Sequence, residues 1–268
     1  MRLFSPAKIN LFFRVLGKQR EGFHEIASLM QAVSMGDFLT FSFSDQDRLT
    51  SSDPTLPCDH RNLVSRAVSL FRKQSALSFH INIHIEKNIP VEAGLGGGSS
   101  NAATTLWALN ALHGFPYSEL ELQEWSGLIG SDIPFFFSHG TAIATGRGEK
   151  IQELPTPPFS EPLSIFKPSF GLSTPTVFKA LRLDLCSRLS PEELLASHYE
   201  GTPIFLNDLE PPALSLLPAL TAYKQQLMQR GYANSVMTGS GTAFFAYDQK
   251  GGRHMISRSP YQWWTLKK

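Results

Sequence analysis

The chain has 268 residues but only two cysteines, Cys58 and Cys186. They lie far apart and show no C-x-x-C spacing. That excludes a disulfide framework and a cysteine-built metal site, and it suits a reducing compartment. An excess of one charge is missing too: 24 Lys and Arg stand against 23 Asp and Glu, for a net charge of +1. Nothing electrostatic therefore points to nucleic acid or an anionic membrane surface as a partner. No apolar run approaches the roughly 20 residues needed to cross a bilayer. The stretch Met1 to Lys8 carries no apolar signal core before Pro6 and Lys8. Repeats and low-complexity tracts are absent. The composition is that of a globular chain, 42% hydrophobic with 18 prolines, long enough for one large or two modest domains.

Against these absences, one stretch stands out. Residues 94–100 read Gly94-Leu95-Gly96-Gly97-Gly98-Ser99-Ser100, and a helix-forming run starting near Ala102 follows directly. Upstream, residues 78–86 alternate apolar and polar side chains as a half-buried strand does. Glycine lets a backbone take positive φ and approach a ligand closely. The free N–H groups and positive dipole end of a helix start favour phosphate. A flexible connection is the plain alternative. Two common phosphate motifs are excluded: no G-x-x-x-x-G-K-[ST] occurs, and no regular βαβ alternation surrounds the glycines.

The rest of the chain mixes strands and helices without that alternation, which predicts an α+β fold. Residues 2–16 read as two short strands broken at Pro6, followed by a polar turn over 17–22. A strand is expected at 37–43, a surface loop at 45–61 and a helix at 62–74. The helix after the glycines closes at Gly114, and Ser118 with Glu121 forms a capping box for the next. A loop over 130–134 enters the triple phenylalanine 135–137, and a strand and turn follow over 141–149. Residues 155–162, with four prolines, are the best boundary, dividing the chain into domains 1–154 and 155–268. Beyond it come a strand at 163–166, helices near 176–183 and from 191, and a long helix over 212–230. Two last strands, 233–237 and 243–247, flank Thr238-Gly239-Ser240-Gly241.

The segment Pro90-x-x-x-Gly94-Leu95-Gly96-x-x-Ser99-Ser100-x-Ala102 is similar to the phosphate-binding motif of the GHMP kinases, which include galactokinase and the homoserine, mevalonate and phosphomevalonate kinases. Together with Pro6-Ala7-Lys8-Ile9-Asn10-Leu11 and Gly22-Phe23-His24, it resembles the branch of that family whose acceptor is a cytidine-diphosphate-linked polyol. The likeness runs from about residue 5 to about residue 247, strong in four ordered motifs and thin between them. It implies a two-domain α+β fold, with a ribosomal protein S5 domain 2-like first half and a ferredoxin-like second half. It also implies a small-molecule kinase that moves the γ-phosphoryl of ATP to the acceptor's 2-hydroxyl in the non-mevalonate route to isoprenoids. Mg²⁺ would accompany ATP. The expected partner is the small-molecule substrate alone, in a monomer or weak homodimer, cytoplasmic in a bacterium or stromal in a plastid after removal of a transit peptide. The runner-up is another GHMP small-molecule kinase, or a catalytically silent nucleotide-binding module.

The resemblance assigns roles residue by residue. Lys8 contacts the reacting hydroxyl and the catalytic aspartate; by position alone it reads as a strand-edge lysine reaching water. Asp132, in Gly130-Ser131-Asp132-Ile133-Pro134, takes the hydroxyl's proton; a helix cap is its plain alternative. The backbone of Pro90 and of Gly94 to Ser100 wraps the triphosphate, and a serine hydroxyl reaches phosphate or Mg²⁺. Asn62, Leu63 and Lys87 match positions around adenine, though as lone residues Asn62 reads as an N-cap and Lys87 as a surface charge. Gly239 and Ser240 belong to the family's third motif, a glycine loop facing the phosphates, with a hairpin turn as the alternative. Phe23 and His24 hold cytosine by stacking and hydrogen bonding, Phe23 standing where tyrosine is usual, and Thr174 with Phe178 form the opposite wall. The remaining histidines show no ligand spacing, and no metal ligand is assigned. Two departures from the family pattern stand out: Glu92-Ala93 in place of glycines, and a short tail after Tyr247.

Overall fold

The computed structural model describes residues 1–18, 22–158, 163–232 and 234–247. The tail after Tyr247 lies outside the described residues, as do residues 19–21 of the polar turn at 17–22 and part of the proline-rich boundary. The elements in chain order are β1 (Arg2–Lys18), β2 (His24–Phe43), β3 (Arg48–Ser51), α1 (Leu63–Ser75), β4 (Ile81–Glu86), α2 (Gly97–Leu112), α3 (Glu119–Ser126), a 3-10 turn (Pro134–Phe137), β5 (Thr141–Gly146) and β6 (Lys150–Glu153). The second half holds β7 (Leu163–Phe166), α4 (Thr174–Ala180), a 3-10 turn (Leu183–Leu185), α5 (Pro191–Tyr199), β8 (Leu206–Asn207), α6 (Glu210–Leu216), α7 (Pro218–Gln229), β9 (Val236–Met237) and β10 (Phe244–Tyr247). Helices and a mixed sheet together make the α+β class expected.

Seven strands form one sheet. Its main order is β3-β4-β2-β1-β8, with β5 added on β2 and β6 on β5. The other sheet has the order β7-β10-β9. One apolar cluster lies between the large sheet and the helices α1, α2 and α3, around Phe41, Phe71, Leu106 and Phe136. A second joins β1 and β2 to the second half through Ile9, Phe12, Leu163, Leu194 and Phe245. The halves are not cleanly separated, because β8 pairs in parallel with Phe12 and Phe13 of β1.

Several local expectations held. Asn62 caps α1, its side chain accepting from Val64 N–H at 2.9 Å. Ser118 and Glu121 make both bonds of a capping box. Others are corrected. Pro6 does not end β1; the register against β2 shifts between Pro6 and Lys8 instead. Proline has no N–H to give the ladder, and a bulge absorbs the loss. Residues 24–36 continue the strand of 37–43 into β2, a long paired segment with no period-2 pattern because both faces are buried. The loop at 45–61 contains the edge strand β3. The helix near 176–183 begins two residues earlier and ends at Ala180. The long helix over 212–230 is two helices, α6 and α7, separated at Leu217–Pro218. Pro218 lacks the N–H that a continuous helix would need there. Finally, α2 begins at Gly97 rather than Ala102, so the last glycines and both serines are its first turn.

Candidate active site

The phosphate loop is shaped by two glycines that no other residue could replace without movement. Gly96 is the N-cap of α2 at φ 69°, with no side-chain cap bond. A Cβ there would lie 2.9 Å from Phe136 and 3.0 Å from Lys8 Cγ. Gly94, at φ +72°, would place a Cβ 2.0 Å from the Thr238 carbonyl oxygen. Ser100 N–H is the first to find an acceptor one turn back, Gly96 O at 2.8 Å. The N–H groups of Gly97, Gly98 and Ser99 therefore point out of the helix end. The remainder of α2 is buried from Ser100 to Asn110, which holds this end rigidly.

A second loop closes on the first. The backbone N–H of Thr242 donates to Glu92 O (3.2 Å) and that of Ala243 to Ala93 O (3.1 Å). Between them, Thr238-Gly239-Ser240-Gly241 joins the antiparallel strands β9 and β10. The loop is thus the hairpin turn of the plain alternative and, at once, a wall against the phosphate loop.

Lys8 sits on β1 just past the bulge, and its N–H leaves the ladder to donate to Leu95 O at 3.0 Å. Its side chain is buried, which excludes the water-reaching alternative. The ammonium donates to Asn10 Oδ1 (2.8 Å) and lies 3.4 Å from Asp132 Oδ2. Asp132 is 40% exposed. The following 3-10 turn is capped by Ile133 without a side-chain bond, so Asp132 is not a helix cap. Ile133, Phe135 and Phe136 are fully buried beneath it and fix the backbone that carries the carboxylate.

These parts line one cavity of about 980 Å³. Every residue assigned from the sequence faces it except Ser100. Ser100 is fully buried, its hydroxyl 2.8 Å from Ser5 Oγ; it braces α2 against β1 instead of reaching a ligand. Asn62 and Leu63 stand at one end. Lys87 is not a surface charge: its ammonium is buried and donates to Asp37 Oδ2 (2.7 Å) and to the Ile89 carbonyl. Burial pushes its pKa below the usual lysine value, with Asp37 opposing. At the other end His24 stacks on Phe178, centroids 5.2 Å apart, and Thr174 Oγ1 meets Ser240 Oγ at 2.7 Å. Burial, and then Lys18, hold the His24 pKa below the usual imidazole value. Phe23 is half exposed, and the Arg147 guanidinium sits 5.0 Å above its ring.

Three residues of the cavity and its Lys8 network were given no role from the sequence. Asn10 accepts from Lys8 and from Thr238 Oγ1 (3.1 Å) while its amide donates to Ser28 Oγ (2.8 Å). The signal was its place two residues from Lys8, on the same strand face. Thr238 also accepts from Asn10 N–H at 3.0 Å, and only its position before the third glycine loop hinted at that. Arg147, between Gly146 and Gly148, had a turn signal alone. Among the described residues no group of three or more His, Cys, Asp or Glu could hold a metal ion.

Comparison with known proteins bears on this assembly. Residues 62–140 match the GHMP kinases N terminal domain. A protein of Protochlamydia amoebophila, 4-diphosphocytidyl-2-C-methyl-D-erythritol kinase, is 46% identical over 99% of this chain and 93% of its own length. The chain belongs to that kinase family. The chloroplastic 4-diphosphocytidyl-2-C-methyl-D-erythritol kinase of Arabidopsis thaliana is 48% identical over 90% of this chain, which spans 66% of that protein's length. A crystal structure of 4-(cytidine 5'-diphospho)-2C-methyl-D-erythritol kinase superposes with a TM-score of 0.79 at 33% identity, covering 93% of this chain and 90% of its own. The Methanococcus jannaschii mevalonate kinase shares the fold at 12% identity (TM-score 0.61; 93% of this chain, 91% of its own). With its family the chain takes its place among the GHMP small-molecule kinases.

Proposed function

We propose that this chain transfers the γ-phosphoryl of ATP to the 2-hydroxyl of 4-diphosphocytidyl-2-C-methyl-D-erythritol, a step in the non-mevalonate supply of isoprenoids. The observation that carries the reading is the buried Lys8 ammonium 3.4 Å from Asp132, at the mouth of a glycine cradle, with an aromatic pair in the same cavity. Adenine rests near Asn62 and Leu63, with Lys87 behind them. The triphosphate lies along Pro90 and Gly94 to Ser99, and the N–H groups of Gly97, Gly98 and Ser99 at the helix end meet its charge. Gly239 and Ser240 cover it from the second half. The proposed division at residues 154 and 155 makes this a cleft between domains.

In the reaction Asp132 accepts the proton of the acceptor hydroxyl as its oxygen attacks phosphorus in line with the ADP leaving group. Lys8 stabilises the negative charge gathering on the hydroxyl oxygen and the transferring group. Asn10 keeps the ammonium aimed by occupying one of its protons. Phosphoryl transfer rests on positioning and charge more than on covalent chemistry, and these residues supply both. Ser99 and Asp132, which line the cavity, carry oxygen donors, the class that Mg²⁺ takes; it needs few of them because phosphates and water complete its shell. Bound to ATP, Mg²⁺ would neutralise part of the triphosphate charge. Cytosine stacks between Phe23 and Phe178 and meets His24 at its edge; stacking survives the loss of a tyrosine phenol at Phe23.

A monomer suffices, because both catalytic side chains and both pocket walls come from one chain. No helix among the described residues is long and apolar enough to cross a membrane. The test is direct: incubate the protein with Mg-ATP and the cytidine-diphospho acceptor and follow ADP. Acceptor-dependent ADP release is expected; none, from folded protein that binds ATP, sinks the acceptor assignment.

A further inference from the structure

Arg147 has no role in the chemistry described so far, yet it stands between the two ends of the acceptor pocket. It lies in the tight turn from β5 to β6. Its backbone N–H donates to Glu149 Oε2 at 2.7 Å, and the guanidinium is only loosely paired with that carboxylate, at 3.9 Å. The guanidinium rests over Phe23 at 5.0 Å and faces the cavity. The next residue, Gly148, lies against the reacting carboxylate: a Cβ there would be 3.7 Å from Asp132 Oδ1. One turn therefore touches both the base-stacking ring and the catalytic aspartate.

An acceptor held by its base at Phe23 and by its hydroxyl at Asp132 must pass its linker beside this turn. In the proposed substrate that linker is a diphosphate, which carries two negative charges. Among the described residues, Asp132 lines this side of the cavity and Glu149 lies against the Arg147 turn, so the linker needs cations. Lys18, at the β1 end paired with His24, and Lys179 on α4 also line this end, but each is a single flexible point charge. Arg147 is seated on an aromatic face, and among the described residues its planar fork is held only by the loose Glu149 pairing, a geometry suited to two parallel bonds to phosphate oxygens.

We propose that Arg147 binds the diphosphate of the acceptor and makes the enzyme select cytidine diphosphates over cytidine itself. The inference rests on the cytidine-diphosphate reading of the acceptor. Stacking on Phe23 keeps the guanidinium plane across the linker's path, and the turn carries it to the side of the pocket away from the ATP cradle. Arg147 is thus a specificity residue: it acts on the middle of the substrate and leaves the proton transfer at Asp132 alone.

The test is equilibrium binding of cytidine, cytidine 5'-diphosphate and a non-hydrolysable ATP analogue with Mg²⁺, at one fixed ionic strength, to the wild type, Arg147→Met and Arg147→Lys. The wild type should prefer the diphosphate to cytidine. Arg147→Met should shrink that preference about tenfold or more, the scale of a lost charge-assisted hydrogen bond, with the ATP analogue bound as before. Arg147→Lys should recover part of the preference. In turnover, Arg147→Met should raise KM far more than it lowers kcat. Equal weakening of cytidine and its diphosphate would overturn the proposal, since Arg147 would then act only by propping Phe23. Weakening of the ATP analogue instead would reassign it to the triphosphate. If the wild type binds neither cytidine compound, the acceptor reading itself falls, an outcome separate from a wild type that binds the diphosphate and a variant that binds it equally well.

Discussion

Replacing Gly94 by alanine should damage stability and catalysis together. The added Cβ would lie 2.0 Å from Thr238 O and 3.1 Å from Gly241 N, whereas ordinary contact begins near 3.4 Å. Both neighbours are backbone, so the two loops must part by more than 1 Å. Parting them strains the bonds from Thr242 N–H to Glu92 O and from Ala243 N–H to Ala93 O, at about 1 kcal/mol each. Alanine at φ +72° adds about 1 kcal/mol or more. A loss of about 3 kcal/mol follows, which for a chain of this length lowers Tm by about 5 to 6 °C. The same displacement moves the phosphate loop away from Asn10 and Lys8, and a misplacement near 1 Å can cost about a hundredfold in rate. Gly98→Ala is the control: it lies in the first turn of α2, its Cβ would meet only Leu63 Cδ1 at 3.5 Å, and alanine suits a helix better than glycine. Thermal melts and ADP-release kinetics on both variants decide the matter. If Gly94→Ala melts within about 3 °C of the wild type and turns over normally, the two loops do not bear on each other as described.

Other outcomes follow from the same geometry. Asp132→Asn should lower kcat by about 10² to 10⁴, the usual contribution of a general base, while an ATP analogue binds nearly as before; normal turnover would remove Asp132 as base. Asn10→Ala removes one acceptor from the Lys8 ammonium and should lower kcat about tenfold or more with a smaller change in KM; unchanged kcat would mean that Asp132 alone orients Lys8. His198 is buried against Phe12 and Phe205, and burial lowers its pKa from 6.5 to about 4. Above the unfolded value both states are neutral there; between the two values only the unfolded chain takes the proton. Stability should therefore fall as pH drops from 6.5 toward 4, by about 1.4 kcal/mol per unit from this group. Urea melts across that range should show a shallower slope for His198→Gln; parallel slopes would refute the assignment.

Much of the site was legible because its motifs are local. A glycine loop opening a helix, a capping asparagine at Asn62 and a lysine in a short apolar strand each follow from rules that act within a few residues. Other features depend on distant partners. Ser100 stands in the phosphate motif, yet Ser5 claims its hydroxyl. Lys87 looks like a surface lysine until Asp37, far away in the chain, is seen beneath it. β2 lost its alternating signature because elements on both sides bury it, and Pro6 could be accommodated because a bulge was available.

The amino-acid order by itself determined the chemical inventory: a glycine-rich helix end without a P-loop lysine, a cation at Lys8, a carboxylate on a turn at Asp132 and the adjacent aromatic rings of Phe23 and His24. Backbone sterics and helix-end charge make those properties intrinsic to short segments. Only the tertiary structure decided which of them meet. It brought Lys8 to Asp132, aimed it with Asn10, closed Thr238 to Thr242 over Gly94, and set Arg147 between Phe23 and the reacting carboxylate. Long-range strand pairing and burial choose the partners of polar groups, and no rule confined to neighbouring residues can make that choice.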